Sequence, residues 1–345
     1  MKTDWRNKPV LVTGGAGFLG SNLARRLVEE GARVRAVDNL ERGSRRNLEE
    51  IKDRVEFIEL DLREPAAAHR AVQGMEVIFH MAARVGGIQV YLDHPGSVLL
   101  NNLAIDQNCF QAAIEARAPS FVYAGSAHVY PESRQQTPDS APLREPEALP
   151  AHPALTYGWG KLVGEITLAA LAREHPWFHV SLARIMGAYG YNQDTDPATG
   201  SVIPVFCQRA ARWPEGRPFL IRGTGRETRS YVFVDDVVEA LLRSVDAQAR
   251  QQVVGPFNLA AEGRATISEI AELVVRVSGK NIELTCDPSV PTTLWGQAAD
   301  GTLARELLDG WTPHVSLEEG LRRMYRHIEA RLKSPPVPGK KARGG

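Results

Sequence analysis

The feature that most constrains this chain is a glycine-rich turn near its start. Residues 9–13 (PVLVT) form a continuous apolar run, the pattern of a strand buried on both faces. Gly14, Gly17 and Gly20 follow, and residues 20–30 then show helical spacing. Glycines in such a turn let the N–H groups of the helix N-terminus approach a diphosphate closely. The sequence therefore predicts a dinucleotide bound at this turn.

Strands and helices alternate over the first half of the chain. Apolar segments with strand character are found at residues 34–38, 55–61, 77–81, 121–124 and 179–185. Segments with helical spacing lie between them, at residues 66–73, 98–116 and 157–174. This alternation predicts an α/β protein with a doubly wound parallel sheet of the Rossmann type.

The character of the sequence changes after residue 185, where residues 187–200 are polar and turn-forming. Residues 231–235 resemble a strand that returns to the sheet, so we expect the second domain to be discontinuous. The predicted parts are a dinucleotide-binding domain (1–182 with 231–260), a smaller α+β substrate domain (183–230 with 261–331) and a disordered Pro/Gly/Lys-rich tail (332–345).

Composition excludes several classes of function. Lys+Arg and Asp+Glu number 41 each, so no net field attracts nucleic acid or an anionic membrane. The N-terminus has no signal-peptide core, and the three cysteines are scattered, so we expect a cytoplasmic protein. His175 and His179 have HxxxH spacing, but Pro176 between them indicates a helix end. We therefore expect no metal site.

The second predicted strand ends at Asp38, about 20 residues past the glycines, where a carboxylate would bind the adenosine ribose hydroxyls. Because a carboxylate there repels a 2′-phosphate, NAD is favoured over NADP. Arg42, Arg45 and Arg46 follow closely and could instead reach a phosphate. Asp61 and Leu62 end the third predicted strand. The Asp61 carboxylate could contact the adenine edge there, or it could simply cap the strand end.

Residues 157–161 (YGWGK) place Tyr157 and Lys161 four positions apart on a predicted helix, and therefore on one helix face. A nearby ammonium lowers the pKa of a tyrosine toward neutrality. Tyr157 can then take a proton from a sugar hydroxyl while a hydride leaves the same carbon. Lys161 would also hold the nicotinamide ribose.

These residues resemble those of the extended short-chain dehydrogenase/reductase family, and in particular its NAD-dependent sugar-nucleotide epimerases and dehydratases. The likeness covers about residues 8–330, and residues 82–88, 126–131 and 201–204 are most similar to GDP-mannose 3,5-epimerases and GDP-fucose synthases. The resemblance implies a homodimer acting on a nucleoside-diphosphate sugar. It also implies cofactor contacts and substrate contacts. The cofactor residues are Gly14, Gly17, Phe18, Leu19, Gly20, Asp38, Asp61, Leu62, Ala82, Ala83, Asn102, Tyr157 and Lys161; the substrate residues are Gly86, Gly87, Ser126, Ser201 and Arg229, the last on the diphosphate.

In this family the residue two positions past Ser126 is the base beside the sugar ring, and here it is His128. Its ordinary pKa suits proton transfer near neutrality. Three positions depart from the family pattern. Ser201 stands where the 3,5-epimerases have their second acid/base, Gly187 stands in place of the usual Asn, and Gln297 stands in place of the usual Arg.

The sequence therefore predicts an NAD-dependent nucleotide-sugar epimerase that oxidises C4 transiently, inverts C3 and/or C5 and returns the hydride. Its catalytic residues would be Ser126, His128, Tyr157 and Lys161. The alternatives are a 4,6-dehydratase, in which His128 replaces the family's Glu, and a plain 4-epimerase, which leaves His128 unexplained. Outside the enzymes, a catalytically silent NAD-binding regulator remains, although it would have no need of an activated tyrosine. The nucleotide base and the sugar are left open.

Overall fold

The computed structural model describes residues 2–215, 218–290 and 294–333. The strands in chain order are β1 (Pro9–Thr13), β2 (Arg33–Asp38), β3 (Val55–Glu59), β4 (Val77–His80), β5 (Ser120–Ser126), β6 (His179–Ile185), β7 (Ala188–Tyr189), β8 (Phe219–Arg222), β9 (Thr228–Arg229), β10 (Val232–Phe233), β11 (Val253–Leu259), β12 (Ala265–Thr266), β13 (Leu284–Asp287) and β14 (Gly296–Gln297).

The α-helices are α1 (Phe18–Glu29), α2 (Pro65–Val72), α3 (Ile88–Asp93), α4 (Pro95–Glu115), α5 (Thr156–Glu174), α6 (Val202–Arg212), α7 (Val234–Ala247), α8 (Ile267–Ser278), α9 (Thr302–Leu307) and α10 (Leu317–Lys333). The short helix α3 was not predicted. Helix α10 continues through Lys333, and the remainder of the predicted tail, 334–345, lies outside the described residues.

Seven of the strands form one parallel sheet in the order β11-β6-β5-β4-β1-β2-β3. The chain therefore winds outward in both directions from the junction of β1 and β4. In such sheets a crevice opens beyond the carboxyl ends of the two central strands. The predicted parallel sheet is confirmed, and the glycine turn after β1 lies at this junction.

Both faces of the sheet are buried, as the apolar composition of its strands requires. Along β1, Val10 and Val12 pack in the core that contains α1 and α7, whereas Leu11 packs in the core that contains α2, α4 and α5. Alternate side chains of one strand thus anchor opposite helical layers. This double layer fixes the ends of β1, β4 and β5, from which the functional residues project.

The predicted return of residues 231–235 to the sheet is wrong in its detail. Strand β10 pairs with β7 in a separate two-stranded sheet. The chain rejoins the central sheet only at β11, after α7. Two further small sheets join β8 with β13, and β9 with β12 and β14. The division into two domains stays a prediction.

One further property bears on the class of protein. Across the described ranges, none of the helices combines the length and the apolar character that a bilayer-spanning segment requires.

Candidate active site

A cleft of about 390 Å³ opens at the junction of β1 and β4 and extends toward the end of β5. Its lining joins the glycine turn to the predicted catalytic residues. The predicted site residues that line it are Gly14, Gly17, Phe18, Leu19, Gly20, Asp38, Asp61, Leu62, Ala82, Ala83, Gly86, Ser126, His128, Tyr157, Lys161 and Ser201.

Two glycines of the turn, Gly14 and Gly20, have no room for a side chain. Gly14 has a φ of +62°, and a Cβ on it would lie 3.0 Å from the Cα of Ala82 on the neighbouring strand end. A Cβ on Gly20 would clash with the Gly14 carbonyl, so α1 starts directly against the turn. Gly14, Gly17 and Gly20 carry no side chain that could cover the backbone N–H groups at the start of α1, where an anion is favoured. The turn fits the diphosphate of a dinucleotide.

Asp38 is buried at the end of β2, where two backbone N–H groups fix its carboxylate. Ala16 N donates to Oδ2 at 3.1 Å and Leu40 N donates to Oδ1 at 2.8 Å. Burial raises the pKa of Asp38, and these backbone hydrogen bonds oppose the rise. The carboxylate is held at the cleft wall with lone pairs left to accept from ribose hydroxyls.

The arginines that could have met a 2′-phosphate are engaged by the protein. Arg45 pairs with Glu59 at 2.8 Å, and Arg46 donates to the Arg331 carbonyl at 3.3 Å. Arg42 donates to the Asp194 carboxylate at 2.8 Å and to the Thr199 carbonyl at 3.1 Å. Each of the three arginines thus has at least one donor engaged within the protein, and none of them contacts Asp38.

The Arg42 contacts also tie a loop across the cleft. Residues 194–200 are held on one side by Arg42 and on the other by Gly87, whose N–H donates to the Thr199 carbonyl at 2.7 Å. We call residues 194–200 the strap. Gly87 is used in this contact and does not line the cleft, although it was predicted to contact substrate.

Other predicted cofactor residues have clear local roles. The Asp61 carboxylate accepts from Arg63 Nε at 2.9 Å, and this side-chain contact lowers the pKa of Asp61 to about 2. Asn102 is buried, with its amide bound to both the N–H and the carbonyl of Arg84, at 2.7 and 3.1 Å. Asn102 is not part of the cleft lining, so its structural role is to brace the loop after β4. Direct cofactor contacts by these residues stay predictions.

Ser126, His128 and Tyr157 meet at the inner end of the cleft. The Ser126 hydroxyl accepts from His128 N at 3.2 Å, which caps the short 3₁₀ turn at Ala127–Val129. The rings of His128 and Tyr157 pack edge to face, with centroids 5.8 Å apart. The three residues are thus brought together, although Ser126 ends β5, His128 lies in the following 3₁₀ turn and Tyr157 lies on α5.

Tyr157 differs from the prediction in one respect. Burial raises its pKa well above the usual value, as does the neighbouring Tyr91, while the hydrogen bond with Ser126 opposes the rise. The predicted lowering by Lys161 is absent because the Lys161 Nζ lies 4.4 Å from the ring centroid of Tyr123 instead. Burial lowers the pKa of Lys161, and the carboxylates of Asp106 and Glu165 oppose this.

His128 is held in its neutral form. Burial lowers its pKa to about 4, and the Arg229 guanidinium adds to the lowering. Among the described residues the imidazole nitrogens of His128 have no hydrogen-bond partner, and its ring contacts are with Tyr91 and Tyr157. At neutral pH this histidine therefore has an unprotonated nitrogen that can accept a proton.

The substrate side of the cleft is formed by distant segments. The Ser201 hydroxyl accepts from Gln193 Nε2 at 3.1 Å at the start of α6. Arg229 donates to the carbonyls of Thr228 and Leu294, at 2.8 and 2.9 Å, and lines a second cavity of about 730 Å³ instead of the first cleft. At Gly187, φ is +54° and a Cβ would clash with the Ser230 carbonyl, so the family's usual Asn cannot fit this backbone.

Sequence reasoning missed Tyr91, which stacks on Tyr157 with ring centroids 5.1 Å apart. Its hydroxyl accepts from Gly86 N at 3.2 Å, so it links α3 to the loop after β4. No motif marks this tyrosine in the sequence, because its role depends on the packing of α3 against α5. Sequence reasoning also missed Asp106, a buried carboxylate on α4 beneath the catalytic helix.

Comparison with known proteins agrees with this geometry. The model of the NAD dependent epimerase/dehydratase family matches residues 10–260. GDP-mannose 3,5-epimerase from Arabidopsis thaliana is 30% identical over 335 residues, covering 96% of this chain and 85% of that protein. UDP-glucose 4-epimerase from Mycolicibacterium smegmatis is 32% identical over 316 residues, covering 90% and 95%.

A solved structure is similar over the same extent. UDP-glucose 4-epimerase from Thermotoga maritima, determined with UDP-glucose, superposes with a TM-score of 0.81 at 28% identity and covers 94% of this chain and 99% of that one. This likeness confirms the predicted Rossmann-type fold. The predicted use of NAD is confirmed by the match to the NAD dependent family. Because the family model covers most of the chain and relatives match nearly all of it, the chain belongs to the NAD dependent epimerase/dehydratase family of sugar-nucleotide enzymes.

Proposed function

We propose that this enzyme is a nucleotide-sugar epimerase that oxidises C4 of a nucleoside-diphosphate sugar, inverts C3 and/or C5, and re-reduces C4. The observation that carries the proposal is the contact between His128 and Tyr157 at one end of the cleft. A redox tyrosine and a neutral imidazole side by side can act on adjacent carbons of one sugar ring. A plain redox site would not need the second group.

Oxidation at C4 is assigned to Tyr157, Ser126 and Lys161. When bound, oxidised NAD accepts the hydride from C4, and its positive ring favours a phenolate nearby. Tyr157 takes the proton of the C4 hydroxyl, and Ser126 orients that hydroxyl by a hydrogen bond. Lys161, one turn further along α5, is assigned to the nicotinamide ribose.

Inversion is assigned to His128. A C4 ketone acidifies the protons on C3 and C5, because loss of either gives an enolate. The neutral His128 imidazole removes one such proton, and a proton returned to the other face inverts the carbon. Ser201, which lines the same cleft and is bound by Gln193, is the candidate donor on that face. The hydride then returns to C4, so the overall reaction has no net redox change.

Binding of the substrate should make His128 a stronger base. Its pKa of about 4 makes the imidazole a weak base, and part of the lowering comes from Arg229. We propose that Arg229 faces the diphosphate, with Gly86 and Gly87 near the sugar. An anionic diphosphate beside Arg229 would offset the guanidinium charge and raise the pKa of His128. Proton abstraction would then be favoured once substrate is bound.

The test is incubation with a panel of nucleoside-diphosphate sugars in D₂O, followed by NMR identification of each product. The proposal predicts a product inverted at C3 or C5 that carries deuterium at the inverted carbon. A stable 4-keto-6-deoxy product would show a 4,6-dehydratase instead. Turnover of no member of the panel, with NAD remaining oxidised throughout, would support a silent NAD-binding regulator.

A plain 4-epimerase is the second candidate, and one observation favours it. Because the pKa of His128 is about 4, the imidazole is a weak base unless substrate raises that value. A 4-epimerase needs only the redox residues and a rotation of the ketosugar. Its signature in the same experiment would be inversion at C4 with no deuterium on any ring carbon.

We propose that the enzyme is a homodimer through α4 and α5, which pack against each other. Their outer face exposes large apolar side chains, including Leu100 at 69% and Ile166 at 56% exposure, with Trp159 and Val163 beside them. A contiguous apolar patch of this kind is typical of a protein interface. Ile166→Glu should convert a dimer into a monomer in sedimentation velocity; a monomeric wild-type protein would contradict the assignment.

A further inference from the structure

A chain of buried hydrogen bonds runs beneath the catalytic helix. The hydroxyl of Thr13 lies 3.0 Å from Nδ1 of His80, and Nε2 of His80 lies 3.0 Å from Oδ1 of Asp106. The Tyr123 hydroxyl donates to Oδ2 of Asp106 at 2.6 Å. His80 and Asp106 are almost completely inaccessible to solvent. None of these four residues has a part in the proposed reaction.

The hydrogen bonds around Thr13 determine the protonation of this chain. Its hydroxyl oxygen accepts from the N–H groups of Met81 and Ala82, each at 3.1 Å, so its single proton must go to Nδ1 of His80. His80 therefore carries its proton on Nε2 and donates it to Asp106. Burial lowers the pKa of His80, in agreement with a neutral ring. The Asp106 carboxylate consequently accepts from two neutral donors, the His80 ring and the Tyr123 hydroxyl.

Two buried carboxylates adjoin Lys161, and their charges are balanced differently. Glu165 is paired with Arg184, which donates through Nε at 3.0 Å and through Nη2 at 2.7 Å. Asp106 forms no ion pair with a lysine or arginine within the described ranges. An unbalanced carboxylate in a buried site is costly unless a cation lies nearby.

Lys161 is the nearby cation. Its Nζ lies over the Tyr123 ring, 4.4 Å from the centroid, and the hydroxyl of that ring is bound to Asp106. Gly164 makes this approach possible, because a Cβ there would clash with the Tyr123 hydroxyl and lie 3.0 Å from Oδ2 of Asp106. One ring thus separates the buried anion from the buried ammonium.

We propose that Asp106 is a positioning residue whose buried carboxylate is the counter-charge that keeps the Lys161 ammonium protonated beneath the nicotinamide site. Its importance for catalysis rests on the proposed function, in which the Lys161 ammonium holds the nicotinamide ribose. The groups that face Lys161 are Asp106, Tyr123 and His80 from neighbouring elements, with Glu165 from its own helix.

The test is an NMR titration of NAD-saturated protein labelled with [ε-¹³C]lysine, in which the Lys161 signal is assigned by its absence from Lys161→Met. Asp106→Asn keeps the shape of the side chain and removes the negative charge. Removing an anion destabilises the ammonium, so the Lys161 midpoint should fall by about one pH unit or more. Because no sugar nucleotide is present, the result holds whether or not the enzyme is an epimerase.

Tyr123→Phe is the matched control, because it removes a hydrogen bond to Asp106 while leaving both the charge and the ring under Lys161. Its Lys161 midpoint should stay near the wild-type value. Asp106→Thr is a second uncharged variant that can still accept from His80, and it should reproduce the fall. An unchanged midpoint in both uncharged variants, or an equal fall in Tyr123→Phe, would overturn the proposal.

Discussion

The two halves of the cleft are built in different ways. In the cofactor half, backbone atoms shape the site. Gly14 and Gly20 leave no room for a side chain, and the N–H groups of Ala16 and Leu40 hold the Asp38 carboxylate. In the substrate half, side chains from distant segments converge: the rings of His128, Tyr91 and Tyr157 pack together from the end of β5, from α3 and from α5.

This difference separates what the fold determines from what single side chains determine. The backbone of the cofactor half can bind NAD with only a few specific residues, the glycines of the turn and Asp38. The substrate half has three departures from the family pattern, at Gly187, Ser201 and Gln297, without loss of the fold. Relatives that match nearly the whole chain and have different named reactions, a 3,5-epimerase and a 4-epimerase, are consistent with this division.

Tyr157→Phe should produce the largest effect, because Tyr157 contacts both halves. Loss of the proton acceptor should lower the rate of NAD reduction by sugar nucleotide about 1000-fold. Stopped-flow absorbance of NADH measures this step, and an unchanged NAD affinity would confirm that the cofactor half is intact. Turnover within tenfold of wild type would remove Tyr157 from the mechanism.

In the cofactor half, Asp38→Asn should reduce the preference for NAD over NADP by about tenfold or more. The variant loses a charge-assisted hydrogen bond to ribose and no longer repels a 2′-phosphate. Calorimetric titration of cofactor-free protein with both dinucleotides provides the measurement. Glu56→Gln, on the neighbouring strand β3, is the control: it removes a carboxylate that pairs with Arg35 and with none of Arg42, Arg45 and Arg46, so the preference should be unchanged.

In the substrate half, His128 should titrate near pH 4 in NAD-loaded protein without sugar nucleotide, well below an exposed histidine. Arg229→Gln removes a cation that disfavours the imidazolium, so the midpoint should rise, although burial keeps it under the usual value. The C2 proton signal of His128 in NMR reports the titration. A midpoint near 6.5 in wild type would contradict the buried, neutral imidazole.

The smallest effect is expected where the strap joins the two halves. Asp194→Asn breaks the ion pair with Arg42 and should accelerate release of NAD by about two- to fivefold, since such partly exposed pairs contribute less than about 1 kcal/mol. Fluorescence of bound NADH during displacement gives the rate. Asp196→Asn changes the same loop without touching Arg42 and should leave release unaffected.

Sequence reasoning was most informative for residues that belong to local patterns. The glycine turn, Asp38, Tyr157 and Lys161 belong to such patterns, and the structure places them in the lining of one cleft, while their roles stay predictions. The contact between Arg42 and Asp194 joins positions 152 apart, and no local pattern indicates it. The pairing of β10 with β7 was missed because two-residue strands carry almost no periodic signal.

The electrostatics of the site were also beyond the sequence. Four-residue spacing places Lys161 on the same helix face as Tyr157, but it does not determine where a flexible side chain ends. In the structure the ammonium lies over Tyr123, so burial and not Lys161 sets the pKa of Tyr157. Burial and charge balance arise from packing of α4, β5 and α5, which sequence patterns alone do not specify.

We assign redox chemistry and proton chemistry to different residues of one cleft. The most direct measurement is made on His128→Ala with a sugar nucleotide that wild type converts, by following NADH absorbance and deuterium incorporation from D₂O in the same sample. In His128→Ala, NADH should still form, while deuterium incorporation at C3 and C5 should fall at least about 100-fold. Incorporation at the wild-type rate in His128→Ala would contradict this assignment.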